Sequence, residues 1–140
     1  MHGVICLETA AKLNGILLLP DEYPLLLFQE KGKQTIPNSS IPLSIIYQDK
    51  LDLSDTVEVS NGLYMTTPER TIIDLIRYSR DEEIIYLTLD RYLKEGWELG
   101  VSKGTREDLV KISLKYHCDE LLQEYLDNME TWISEFYDHT

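Results

Sequence analysis

Apolar residues along the chain follow two rhythms, and the change falls at Thr67. Before it, they come in short runs broken by turn residues. Leu7, Ala10, Ala11 and Asn14 share one face at helical spacing, so the segment Cys6 to Asn14 reads as a short helix. Asn14-Gly15 closes it, because a glycine there permits a left-handed backbone. Tyr23 to Gln29 reads as a strand bounded by Pro20, Pro24 and Gly32. Lys31 to Ser40 is polar and rich in turn formers, which predicts a loop or a wide hairpin turn. Pro42 to Gln48 predicts a second strand. Val57–Ser60 and Leu63–Thr66 flank Asn61-Gly62, a hairpin signal whose two turn residues are both expected at positive φ.

After Thr67 the spacing turns helical. Ile72, Ile73, Leu75, Ile76 and Tyr78 form one broad apolar face. Ile84, Ile85, Leu87, Leu89, Tyr92 and Leu93 form a second, ending near Gly96, and Gly96 to Gly100 reads as a turn. Thr105 opens a third helix that runs to about Tyr116. A fourth starts near Asp119, with Leu121, Leu122, Tyr125, Leu126, Met129, Trp132, Ile133 and Phe136 advancing by three or four. The class predicted is α+β: a small antiparallel or mixed sheet with a short N-terminal helix, then a helical half of about four helices. Residues 1–95 are expected to form the α/β core and residues 96–140 an acidic helical extension packed on it.

Charge changes the picture of that second half. The 140 residues carry a formal net charge of -12, with 43% apolar and 27% charged residues, so a real core is available. Up to Arg80 there are ten acids and seven bases; from Asp81 onward there are fifteen acids and six bases. The bases are scattered, and the closest pairs are Lys31/Lys33 and Arg77/Arg80. Such a chain is repelled by nucleic-acid phosphates, so no direct nucleic-acid binding is expected. From Cys118 to Thr140 there is no lysine or arginine. An acidic face can simply keep a domain dispersed, or it can receive a cationic partner. The last helix leaves a second choice open. Its stripe either packs on its own domain or forms a dimer seam or partner groove, with Glu120, Glu124, Asp127 and Trp132 as the candidate partner-binding residues.

The change of rhythm occurs inside Thr66-Thr67-Pro68-Glu69-Arg70-Thr71-Ile72-Ile73-Asp74. Thr67 can cap the helix with its hydroxyl, and Pro68 suits the first helical position, where no amide bond is lost. Glu69 sits at the positive helix end. If Thr66 were the cap instead, it would form a capping box with Glu69. Arg70 and Asp74 are four apart and can pair. Spacing therefore accounts for all five residues, Thr67, Pro68, Glu69, Arg70 and Asp74, as a structural motif.

Two stretches also carry a resemblance. His2-Gly3-Val4 followed by the alanine-containing helix to Asn14-Gly15, and then Pro68-Glu69-Arg70-Thr71-Ile72-Ile73-Asp74 behind a hairpin, resemble in that order the effector domain of AbiEi-family antitoxins. The resemblance covers roughly residues 2 to 95. It implies an antitoxin that neutralises a cognate nucleotidyltransferase-type toxin in phage defence, by interaction and not by catalysis. Full members carry an N-terminal winged helix that represses their own operon; that domain is expected to be missing here. The chain also has Asn14 where the family commonly has histidine, and its net charge opposes a DNA-binding role. The alternative, from a different class of function, is an acidic inhibitor that mimics nucleic acid in a basic groove, or an interaction module for a basic partner, and the acidic second half motivates it.

Other chemistry finds little footing. Cys6 and Cys118 belong to no metal-ligand cluster and are expected as reduced, buried thiols. His2, His117 and His139 are isolated. Glu82/Glu83 and Asp119/Glu120 are adjacent pairs that point to different helix faces. Gly96, Gly100 and Gly104 are evenly spaced but lack the lysine of a phosphate loop. No apolar run approaches the roughly 20 residues that span a bilayer, and no secretory leader is evident. The expectation is a cytoplasmic interaction protein with no metal, cofactor or catalytic centre.

Overall fold

The computed structural model describes residues 2–20, 22–32, 42–94 and 104–138. The fold is α+β: a five-stranded mixed sheet and a C-terminal helical half. In chain order the elements are β1 (Gly3–Ile5), α1 (Leu7–Leu13), β2 (Leu25–Glu30), β3 (Leu43–Gln48), β4 (Thr56–Ser60), β5 (Leu63–Thr66), α2 (Pro68–Arg77), α3 (Glu82–Lys94), α4 (Arg106–Lys115) and α5 (Asp119–Asp138). The sheet order is β3-β2-β1-β5-β4.

The middle strand is the one that periodicity did not reveal. β1 is only three residues long and buried throughout, so it shows no alternation. It pairs antiparallel with β2 and parallel with β5. β2 and β3 pair in parallel, from Leu25↔Leu43 to Glu30↔Gln48, which rules out the hairpin turn considered for Lys31 to Ser40. Most of that segment, the turn at Gly96 to Gly100, His139 and the boundary at residues 95/96 lie outside the described residues.

The β4–β5 hairpin forms, but with a different turn. Gly62 has φ 77°, while Asn61 is not at positive φ. The register instead shifts between Glu58 and Ser60, and this bulge supplies twist that a turn with two left-handed residues would have given.

Strand alternation gives the sheet two faces. Ile46, Phe28, Val4 and Tyr64 stand in one cross-strand row, against the helices. Ile45, Leu27, Ile5, Met65 and Val57 form a row on the other face. The main core runs from Val4 and Phe28 through Ile72, Ile76, Leu89 and Leu109 to Leu122, Met129 and Ile133. One apolar cluster therefore joins the sheet to all four C-terminal helices. The α5 stripe is part of it: Leu122, Leu126, Met129 and Ile133 are buried, and α5 packs on α2, α3 and α4.

Three helices end alike. After α1, Gly15 donates to Lys12 and Ile16 to Ala11; after α2, Ser79 donates to Ile76 and Arg80 to Leu75; after α4, His117 donates to Leu114 and Cys118 to Ser113. Each is a Schellman closure with a left-handed residue. The first was legible as Asn14-Gly15. The other two place Ser79 (φ 51°) and His117 (φ 59°) where glycine is usual, so the sequence carried no signal for them.

Gly104 leads into α4 for a packing reason. Its amide donates to the carbonyl of Tyr92 at 2.9 Å, and a Cβ built on it would lie 1.9 Å from Cζ of that ring. Tyr92 is itself fully buried and donates to Glu69 at 2.6 Å, so it has little freedom to yield. Gly104→Ala is expected to cost about 1–3 kcal/mol by overpacking, read as a lower urea midpoint with an unchanged m-value.

Candidate functional site

The segment that opens α2 is built as its spacing implied. Thr67 is the cap: its hydroxyl accepts from the amide of Arg70 at 3.3 Å, and Pro68 stands in the first turn. The capping box of Thr66 with Glu69 is not formed. Thr66 shares a hydrogen bond with the hydroxyl of Thr71 at 2.6 Å, and Glu69 accepts from Tyr92. Asn14 Nδ2 donates to the carbonyl of Thr66 at 3.1 Å, tying the end of α1 to the end of β5. The two stretches that carry the family resemblance are thus neighbours in space.

Arg70 and Asp74 pair as their spacing predicts. Nε of Arg70 donates to Oδ2 of Asp74 at 3.1 Å, and both side chains are fully buried. Arg77 Nη1 takes the other carboxylate oxygen at 2.7 Å. Burial raises the Asp74 carboxyl pKa, against the pull of the two guanidinium groups. Arg70 reaches further than spacing could show. Its Nη1 donates to the carbonyls of Asp52 at 2.8 Å and Ser54 at 2.7 Å, in the connection between β3 and β4. Its guanidinium lies 5.8 Å from the centre of the Phe28 ring and 5.9 Å from that of Tyr116. The Arg77 guanidinium stands 4.1 Å from the centre of the same Tyr116 ring. Tyr116 in turn donates to Asp52 at 2.7 Å. One arginine therefore holds together α2, the β3–β4 connection and the end of α4.

Asp52 has its own titration. Burial would raise its carboxyl, but hydrogen bonds from Ser54 and Tyr116, with the charge of Arg70, bring it down to about 2. Burial, with the bond to Asp52, pushes the Tyr116 hydroxyl up to about 12. A carboxyl held below its unfolded value near 3.9 adds stability above that pH and loses it as pH falls toward the folded value. Asp52→Asn should therefore be less stable than the parent above about pH 4, with the gap closing toward pH 2. Urea midpoints across that range would check it; a gap independent of pH would count against the assignment.

A second buried pair joins residues far apart in the chain. Glu8, 1% exposed, receives Arg80 through Nε at 2.9 Å and Nη2 at 2.7 Å, and the hydroxyl of Tyr23 at 2.9 Å. The bond that Arg80 donates to Glu8 raises the Arg80 pKa. The only local signal was a carboxylate on the face that also carries Ala11, three positions on. Nothing near Glu8 in sequence named Arg80, 72 residues away. Cys6, buried beside these groups, has its thiol pKa raised well above the ordinary value by burial; Cys118 is half-buried and is raised in the same direction.

The acidic candidates fall elsewhere. Glu120, Glu124 and Asp127 are exposed along the outer face of α5. Asp127 accepts from Gln123 at 2.8 Å, and none of the three is paired with a cation among the described residues. Trp132, grouped with them from sequence, is turned the other way. It is half-buried and stacks on Tyr86 of α3 at 4.9 Å, with Phe136 at 5.2 Å on α5 itself. Its place on the apolar stripe puts it against its own domain, partly buried on the main core.

Among the described residues, no group of three or more histidine, cysteine, aspartate or glutamate side chains is placed to hold a metal ion. Among the same residues, no helix is long and apolar enough to cross a membrane. No model of a known protein family matches the chain, and no curated protein matches it.

Proposed function

We propose that this chain is an antitoxin-type interaction protein that neutralises a cognate nucleotidyltransferase-type toxin by binding it in the cytoplasm, without catalysis. The observation that carries the reading is the outer face of α5, where Glu120, Glu124 and Asp127 stand exposed with no cationic partner among the described residues. Carboxylates left unpaired on a rigid helix can be matched by a basic protein surface at modest desolvation cost. The segment Thr67 to Asp74 supports the reading in a different way. Its polar side chains are engaged in capping and in buried pairs, which gives them a structural role in holding the domain. The class of partner is taken from the AbiEi-like resemblance of residues 2 to 95.

Co-expression with a nucleotidyltransferase toxin encoded beside this chain is expected to relieve growth arrest. Unrelieved arrest would sink the reading. The triple reversal Glu120→Lys, Glu124→Lys and Asp127→Lys is expected to weaken toxin binding by at least about tenfold and to flatten its salt dependence. Unchanged affinity and salt slope would remove this face from consideration. A second reading, an acidic inhibitor that mimics nucleic acid, draws on the excess of nine acids after Arg80. It predicts that DNA or RNA competes for the partner; a partner interface indifferent to both would exclude it.

A further inference from the structure

Between the first turn of α3 and the N-terminal half of α5 lies a groove of about 240 Å³ lined by Glu82, Tyr86, Leu121, Glu124, Tyr125 and Asn128. Tyr86 and Tyr125 meet edge to face at 5.1 Å, and Trp132 backs Tyr86. Tyr86 is about nineteen-twentieths buried, at 5% exposure, and its hydroxyl makes no hydrogen bond among the described residues. The ring is buried, while its hydroxyl opens into the groove and is free to bond an occupant there. Glu82 and Glu124 likewise have no cation partner among the described residues. Asn128 spends its NH₂ group on the carbonyl of Glu124 at 2.8 Å, which leaves its amide oxygen turned to other donors.

The charged groups of the groove accept only: the carboxylates of Glu82 and Glu124, with the amide oxygen of Asn128 beside them, while the hydroxyls of Tyr86 and Tyr125 can donate or accept. Their complement is a group that only donates and carries positive charge. A guanidinium has five donors and no acceptor, and its flat face suits an aromatic wall better than an ammonium does. Leu121, 41% exposed at the rim, offers apolar surface for the methylene stem. We infer that this groove is the socket for an arginine side chain presented by a protein partner. The inference rests on the interaction reading above and names the group that the acidic face recognises. Glu124 belongs to both, so the socket lies at the edge of the face already assigned to the toxin.

The test is a titration of the whole chain with an acetylated, amidated Gly-Arg-Gly peptide in about 0.15 M salt, where long-range attraction is screened. The same peptide with citrulline in place of arginine serves as the neutral isostere. Binding would be followed by side-chain NMR shifts and by Trp132 fluorescence. The arginine peptide should saturate, with shifts centred on Tyr86, Tyr125 and Asn128, and the citrulline peptide should bind at least about tenfold more weakly. Tyr86→Phe, which keeps the packed ring, and Glu82→Gln should each weaken the arginine peptide. Glu135→Gln, toward the other end of α5, should not. Equal binding of the two peptides would overturn the inference, as would shifts spread evenly over Glu130, Glu135 and Asp138. Lost peptide binding with neutralisation intact would remove the socket and leave the antitoxin reading. Saturable peptide binding without neutralisation would uphold the socket and count against that reading.

Discussion

Arg70→Ala is expected to cost about 3–5 kcal/mol. The reason is the number of groups that one buried guanidinium satisfies. Without it, Asp74 keeps only Arg77, while the carbonyls of Asp52 and Ser54 lose their donor. The cavity left beside Phe28 and Tyr116 adds to the loss. A domain of this size has a total of about 5–15 kcal/mol, so much of its margin would go. Arg70→Lys should restore little, because a single ammonium cannot reach a carboxylate and two carbonyls in three directions. Asp74→Leu in the Arg70→Met background should recover part of the loss, since removing both partners leaves less unpaired charge. Urea unfolding of the four variants measures each step. A cost for Arg70→Ala below about 1 kcal/mol would show that the junction does not hold the two halves together.

Arg80→Met comes next, at about 2–3 kcal/mol. It leaves the Glu8 carboxylate buried with only the Tyr23 hydroxyl. The figure is below that for Arg70 because Arg80 is 32% exposed, and water already screens part of the pair. Glu8→Gln should cost less than Arg80→Met, since an amide needs no counter-charge and can still bond Tyr23. The ordering of the two variants checks the assignment. Equal costs would mean that the pair acts by packing alone. Both substitutions loosen the seam between α1 and the end of α2, so amide exchange in α1 should rise well before global unfolding.

These two pairs show what was readable in the chain and what was not. Arg70 and Asp74 are four positions apart on one helix, and helical geometry alone makes them neighbours. Glu8 and Arg80 meet only because α1 and α2 pack side by side against the sheet. The acidic face of α5 was likewise legible, because its period places Glu120, Glu124 and Asp127 opposite the apolar stripe. The side of the helix on which Trp132 falls was legible too, but not what lies against it.

Local period, capping chemistry and turn residues were enough to establish the α+β class, the five helices, four of the five strands and a capped start of α2 at Thr66 or Thr67. Each depends on residues within a few positions of one another, where steric and hydrogen-bond preferences act directly. Only the tertiary structure decided the central position of β1, the parallel pairing of β2 with β3 and the turn that closes β4 and β5. The same holds for the reach of Arg70 to the β3–β4 connection and for the buried bond of Glu8 with Arg80. Strand order and long-range pairing follow from which surfaces bury together, and a chain read position by position does not contain that sum.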